Sequence, residues 1–515
     1  MASGVDLLRN QPPSPGVRAR RYPETFFLFW ALLFLLVFLG QQAFYRVDGQ
    51  GLVVLLARGE GEHPLHPLFL PMARVLTALP RALGMSAFGA LELLSAFGVA
   101  FGVFCAHRAA ISVFGGERKR AFAAALLVAA APSLFFFGTV VEFHGLFFAF
   151  AGLFFWAWVS AAELRGWWVL VPLLSALGAG VHATGHLLPL FVLLRLPRTE
   201  ARPKRRGWVL LLHVLFFALL GLSLGSFSPM DWGDSLQRSA AAVWGPLPSL
   251  EKIWTFVKEE WFLPLFPLSL LFVVGFLAGR WKEEAAFLLV LSAYLLLSFF
   301  ILDNQVEQGA YLLPLLFPAS ILTMRKWPRV LFPIILLLSL GSFGWGYRDI
   351  QRHDRPREAP GFVQGYLKLT GGKARLVLGN LAEAESILRR RPDLSFVPLY
   401  EFLARLQTAD REGQTNLTQK WIQGLLVFME QDLQKGMPVL WTRSCFRELD
   451  AGIGIASWGS LKARLKRGFR MRDIQVDGFE ARLLLPSSPL SHGNHRPVPR
   501  SSDRAPAQLF PGAGR

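Results

Sequence analysis

Asp48 stands just beyond the first long apolar run of the chain, in Tyr45-Arg-Val-Asp48-Gly-Gln-Gly, ahead of a short apolar stretch and the turn Glu62-His63-Pro64-Leu65-His66-Pro67. A carboxylate at the edge of an apolar span, followed by a proline-stiffened turn, can take a proton from a hydroxyl presented at a membrane surface. The same Asp could instead cap a helix beginning near Gln50. Glu142 and His144 flank Phe143 at the start of a later apolar run, and His182 and His186 stand four residues apart, on one face of a helix if the segment is helical. Together with Glu62 the five histidines His63, His66, His144, His182 and His186 have three readings: metal ligands, donors to phosphate or sugar hydroxyls, or structural groups. A His-x-x-x-His pair without the Glu of the zinc hydrolase motif, and prolines directly after His63 and His66, lead us to expect no metal and no cofactor. Arg46, Arg58, Arg74 and Arg238 are the cations that could offset charge on a phosphate.

These residues sit among elements that composition assigns to a bilayer. Of 515 residues 53% are hydrophobic and only 17% charged, where soluble domains carry about 25% charged residues. The apolar residues gather into runs at roughly 25 to 44, 83 to 106, 121 to 139, 145 to 162, 167 to 181, 186 to 197, 207 to 227, 261 to 279, 285 to 302, 310 to 324 and 329 to 347. That predicts a polytopic α-helical membrane protein with about eleven transmembrane helices, two of them (167 to 181 and 186 to 197) short of the ~20 residues a crossing needs. The formal charge of +18 would suit a nucleic-acid binder, but the cations concentrate in alternate loops, as in Arg118-Lys119-Arg120 and Lys204-Arg205-Arg206. Such alternation marks cytoplasmic loops, so no nucleic-acid partner is expected. It places a basic N-terminus (1–24) in the cytoplasm and puts Asp48, Glu142 and the five histidines on the outer side. The two cysteines, Cys105 and Cys445, indicate no disulfide framework. Four tryptophans between 226 and 261 fit the membrane interface or a sugar face.

After Tyr347 the chain becomes charged and mixed. Residues 374–379, 394–399 and 437–442 read as strands and 382–391 as a helix, which predicts a C-terminal soluble α/β domain over 348–486, outside the cytoplasm because the number of spans is odd. The Pro-, Ser- and Arg-rich stretch 487–515 reads as a disordered tail.

An Asp after the first span, a helix and a His-Pro turn resemble the first external loop of the type C membrane glycosyltransferases, nearest to bacterial relatives of the protein O-mannosyltransferases. Their loop reads Asp-x-Gly-Glu, helix, His-Pro-x-Gly-aromatic-Pro; here Gly51 stands where the Glu would be, and the turn is one residue shorter. Val141-Glu142-Phe143-His144-Gly145 is similar to their Glu-Val-Tyr stretch, Gly178 to His186 to their Gly-x-x-x-x-Asn-His-x-Thr stretch, and Glu307-Gln-Gly309-Ala-Tyr311-Leu-Leu-Pro314 to a late loop-to-helix motif. The likeness covers roughly residues 25–347.

The resemblance implies a multi-pass enzyme of the inner (plasma) membrane that moves a hexosyl or mannosyl group from a polyprenyl-phosphate sugar to a lipid, glycan or protein acceptor on the extracytoplasmic face, with membrane lipids around it. Asp48 would be the base, and Glu142, ahead of Glu62, the substitute for the missing loop Glu. The histidines, Glu62, Glu307, Tyr311, Arg58 and Arg74 would bind substrate. A transporter or flippase, or a non-catalytic binder of lipid-linked sugar, is the alternative; a transporter would place polar groups near mid-membrane, often in repeated halves, and no internal repeat is visible here.

Overall fold

The computed structural model of the chain describes residues 23–38, 46–59, 66–160, 166–194, 206–224, 249–277, 285–301, 309–326, 332–352, 361–391, 393–411, 413, 415–451 and 455–486. Two compact units divide it: the first comprises 1–42, 62–72 and 92–353, the second 43–61, 73–91 and 354–515.

The first unit is helical. Among the described residues one helix, Ala87–Val113, whose part from 92 onward lies in this unit, is long and apolar enough to cross a bilayer, and eight further apolar helices are shorter. Among the described residues the count of eleven spans is therefore not confirmed. Proline and changes of helix type interrupt three of the apolar runs. The run 121 to 139 is cut at Ala131-Pro132 into Arg118–Ala129 and Pro132–Phe137. The run 186 to 197 is the 3₁₀ helix Ala183–Leu193, with Pro189 inside it. The stretch 261 to 279 passes from a π-helical turn, Val257–Phe262, through Pro264 and Pro267 to the helix Leu268–Leu277. Each proline removes an amide donor and obstructs the preceding turn, so an apolar run continues without remaining one α-helix.

Small residues set a close helix crossing in this unit. A side-chain carbon at Gly98 would fall 2.3 Å from the carbonyl oxygen of Gly145, and one at Gly145 would fall 2.6 Å from that of Ser95. The backbones of Ala87–Val113 and His144–Val159 thus touch without intervening side chains, the small-residue packing favoured where lipid supplies no hydrophobic drive. Ser95 Oγ donates to the Glu142 carbonyl at 3.3 Å and fixes the start of the second helix.

The second unit contains a five-stranded mixed sheet ordered β2-β1-β3-β5-β4: β1 (Arg375–Leu378) pairs in parallel with β2 (Phe396–Pro398) and β3 (Val439–Thr442), while β5 (Phe479–Pro486) runs antiparallel to β3 and to β4 (Phe469–Val476). The central strands Arg-Leu-Val-Leu and Val-Leu-Trp-Thr are apolar because both faces are covered. Val377, Val439, Trp441 and Leu484 face one core with Leu403, Ile422 and Leu461; Leu376, Leu378, Leu440 and Ala481 face another with Phe362, Tyr366 and Ile387. The three strands and the helix Leu381–Arg390 expected from sequence are present. The β4–β5 hairpin was not anticipated; its two-residue turn, Asp477-Gly478, holds both residues at positive φ (45° and 84°), the backbone that Asp-Gly favours in tight hairpins. In the same unit the helix Arg46–Arg58 packs against Leu381–Arg390.

Candidate functional site

Two chain segments converge first. The Leu68 amide donates to the Gly180 carbonyl at 2.9 Å, tying the turn after His66 to the end of the helix Trp167–Val181. His182 follows that helix in extended conformation (φ −153°, ψ 134°), so its ring leaves the helical face. The imidazoles of His66 and His182 stack with centroids 5.0 Å apart and planes 10° apart. His144, from the start of His144–Val159, meets His182 at 4.6 Å, and Tyr311 meets His182 at 5.3 Å and His144 at 6.2 Å. Phe143 and Phe147 lie 5.4 and 5.0 Å from His182 and close the cluster with apolar surface. His66, His144 and His182 are all buried.

The bonding of His182 settles its tautomer. Nδ1 accepts the Thr184 amide at 3.2 Å and lies 2.7 Å from Thr184 Oγ1. An amide N–H only donates, so Nδ1 carries no proton and the neutral ring keeps its proton on Nε2, a fixed donor. Glu142, 5% exposed, accepts the Phe143 amide on Oε2 at 3.3 Å and begins the segment that delivers His144.

Tyr311 is delivered by a residue that sequence reading passed over. Glu260, fully buried in the π-helical turn, accepts the Gly309 amide at 3.0 Å. Gly309 has φ +74°, and a side-chain carbon there would fall 2.7 Å from Pro264, so only glycine admits the turn that leads into Ala310-Tyr311. The signal available in sequence was Glu260 at the end of the charged group Lys258-Glu259-Glu260, directly before the apolar run that starts at Trp261.

His186 takes a different course from His182, so the pair does not share a helical face. His186 Nδ1 lies 3.1 Å from His213 Nε2, whose Nδ1 lies 2.8 Å from Ser175 Oγ; that hydroxyl donates to the Pro172 carbonyl at 2.8 Å. With the serine proton spent on the carbonyl, neutral His213 must donate from Nδ1 and accept on Nε2, so His186 donates from Nδ1. His213, on the helix Arg206–Leu224, was not singled out in the sequence.

The remaining expected residues are distributed as follows. Asp48 is the third residue and Arg58 the last of the helix Arg46–Arg58, so Asp48 lies inside the helix rather than ahead of it. Glu62, His63 and Glu307 lie outside the described residues. Arg74 lines a cavity with Arg81. Among the described residues no group of three or more His, Cys, Asp or Glu is disposed to hold a metal ion.

The chain matches two solved structures of ArnT from Cupriavidus metallidurans. The one bound to undecaprenyl phosphate is 15% identical, with a TM-score of 0.57, over 90% of this chain and 98% of that one. The apo state is 14% identical, with a TM-score of 0.54 and the same coverage. The fold of the chain is that of these two ArnT structures. No protein-family model matches the sequence, and no curated protein does. The fold likeness takes in the α/β domain as well as the helices, since it spans nine-tenths of the chain.

Proposed function

We propose that the chain is a glycosyltransferase of the inner membrane that moves a hexosyl or mannosyl group from a polyprenyl-phosphate donor to a lipid, glycan or protein acceptor on the extracytoplasmic face, its N-terminus in the cytoplasm and its α/β domain (348–486) outside. The observation that carries this reading is the convergence of His66, His144, His182 and Tyr311 from four separate segments into one cluster with a fixed Nε2–H donor. The shared fold with a protein crystallised with undecaprenyl phosphate supports the choice of donor.

In this mechanism the Asp48 carboxylate takes the proton of the acceptor hydroxyl. The hydroxyl oxygen bonds to the anomeric carbon of the donor. The bond from that carbon to the phosphate oxygen breaks, and the polyprenyl phosphate leaves with the electron pair. The developing charge is met by the His182 Nε2–H and the Tyr311 hydroxyl, donors set in place before the reaction. Glu142 stands in for the Glu that Gly51 replaces.

Purified protein in lipid, given radiolabelled polyprenyl-phosphate hexose and an acceptor extract, should transfer label, and Asp48→Asn should abolish transfer while leaving donor binding intact. Donor binding without transfer from any donor would instead support the non-catalytic binder, and movement of the lipid-linked sugar across vesicles would support the flippase.

A further inference from the structure

The helix Arg206–Leu224 turns an apolar face outward, with Trp208, Leu211, Val214, Leu215, Leu219 and Leu222 exposed, and buries a histidine, His213, on its other side. An ionisable ring among apolar helices is costly unless its nitrogens are bonded. Both are: Nδ1 lies 2.8 Å from Ser175 Oγ and Nε2 lies 3.1 Å from His186 Nδ1. Ser175, on the helix Trp167–Val181, gives its own proton to the Pro172 carbonyl at 2.8 Å. One line of hydrogen bonds therefore joins three chain segments, with every donor pointing the same way, from His186 through His213 and Ser175 to Pro172.

That direction defines the other end of the line. The His186 proton is on Nδ1, so Nε2 of the neutral ring is a bare lone pair. His213 and Ser175 are buried, whereas His186 is only partly so, and among the described residues its Nε2 has no hydrogen-bond partner. Phe217 braces the same ring from its apolar side, with centroids 4.3 Å apart and planes 83° apart. A network that served only to hold helices together would close on itself; this one ends on an accessible acceptor. Four residues earlier His182 has the opposite polarity, bare at Nδ1 and protonated at Nε2. A lone pair accepts an O–H, and it repels a phosphodiester, which has oxygens but no hydrogen to give.

We infer that His186 binds a substrate hydroxyl through Nε2, on the transferred sugar or on the acceptor, and that His213 and Ser175 are positioning residues that keep the His186 proton on Nδ1. The identity of the hydroxyl rests on the glycosyltransferase reading; the direction of the hydrogen bonds does not.

Two measurements on the full chain in lipid test this. Nitrogen NMR of histidine-labelled protein near neutral pH, with the His186 signals identified by their loss in His186→Gln, should show a protonated Nδ1 and a bare Nε2. In Ser175→Ala, where His213 loses the acceptor for its Nδ1 proton, the His186 pattern should mix or reverse. A native His186 protonated on Nε2 would overturn the proposal. The second measurement titrates polyprenyl-phosphate hexose and bare polyprenyl phosphate side by side. His186→Phe keeps a ring against Phe217 without a lone pair and should weaken the hexose lipid by about five- to tenfold, the size of one neutral hydrogen bond, leaving polyprenyl phosphate unchanged. His186→Gln, whose amide oxygen can stand where Nε2 does, should stay within about threefold of native. Unchanged binding of both lipids in His186→Phe, with a matching rise in the acceptor extract needed for half-maximal transfer, would assign the hydroxyl to the acceptor and uphold the role. Equal weakening of both lipids, or no change in either lipid or acceptor, would overturn it. A native chain that binds the hexose lipid and never transfers its sugar would sink the transferase reading alone, because tautomer and donor binding are read without turnover.

Discussion

His182 is locked on two sides by different kinds of contact: the parallel ring of His66 lies 5.0 Å away, and the Thr184 amide holds Nδ1 at 3.2 Å. Stacking fixes the plane of the ring and the amide fixes its rotation within that plane. The Nε2–H therefore has one direction before any ligand arrives, which is what a donor to a developing charge requires, because no reorganisation is needed at the moment of reaction.

Separating the ring from its proton tests this. His182→Phe retains the aromatic surface against His66 and Phe147 but has no N–H, so kcat for transfer from polyprenyl-phosphate hexose should fall by about 10²–10³-fold, as when one preorganised donor is removed. His66→Phe, which keeps a stacking partner, should cost about tenfold or less. Equal losses in the two would show that the pair acts only as packing.

Glu260 acts on the same site through Gly309. Glu260→Gln leaves an oxygen to accept the Gly309 amide and should keep activity close to native. Glu260→Leu strands that amide at a cost of about 1–3 kcal/mol and frees the turn that places Tyr311, so kcat should fall about ten- to a hundredfold with KM changing less. A leucine variant as active as the glutamine one would remove Glu260 from the positioning of the site.

The close helix crossing makes a sharper structural prediction. Gly98→Leu puts its first side-chain carbon 2.3 Å from the Gly145 oxygen, a contact that only separation of the two helices relieves, and the variant should fail to accumulate as folded protein. Gly207→Ala, at a glycine with nothing within 4 Å, should express normally and gain up to about 1 kcal/mol in helix propensity. Size-exclusion profiles of the two in detergent decide the matter.

What the sequence disclosed and what it withheld follow from where the information lies. His66, His144, His182 and Tyr311 were legible because polar residues bounding apolar runs are conspicuous. The strands around Val377 and Trp441 were legible because fully covered strands are apolar throughout. His186 misled because its spacing from His182 presumes a continuous helix, and the helix ends at Val181. Glu260 and His213 were passed over because their roles depend on partners 49 and 27 residues away, Gly309 and His186. Where single α-helices end inside an apolar run was hidden for a similar reason: hydropathy measures affinity for lipid, and a 3₁₀ or π-helical turn is as apolar as an α-helix.

Glu383 gives the α/β domain a pH dependence whose sign can be stated. The side chain enters the crevice at the carboxyl ends of β1 and β3, where Oε2 accepts from Ser444 Oγ at 2.6 Å, Thr442 Oγ1 at 2.8 Å and the Gly379 amide at 3.2 Å. Burial raises its pKa above the ordinary glutamate value of 4.5, and these hydrogen bonds lower it only in part. A raised pKa means that the folded domain holds the proton more tightly than the unfolded chain. The stabilisation is complete below about 4.5 and is lost as pH rises through the folded value, so the ionised carboxylate is a cost near neutrality. Glu383→Gln, neutral and of the same shape, should therefore protect the β1 and β3 amides from hydrogen exchange at pH 7.5 at least as well as the native residue, with the ratio of the two rates moving in favour of the native chain as pH is lowered toward 5. Glu383→Ala removes the acceptor from two hydroxyls and an amide and should destabilise the domain by about 2–3 kcal/mol at any pH. A native chain that gains protection over the glutamine variant as pH rises would reverse the sign and show that the hydrogen bonds, not burial, govern this carboxylate. The helix that carries Glu383 also packs against Arg46–Arg58, which bears Asp48, so exchange in that second helix should follow the same pH trend if the contact transmits the strain.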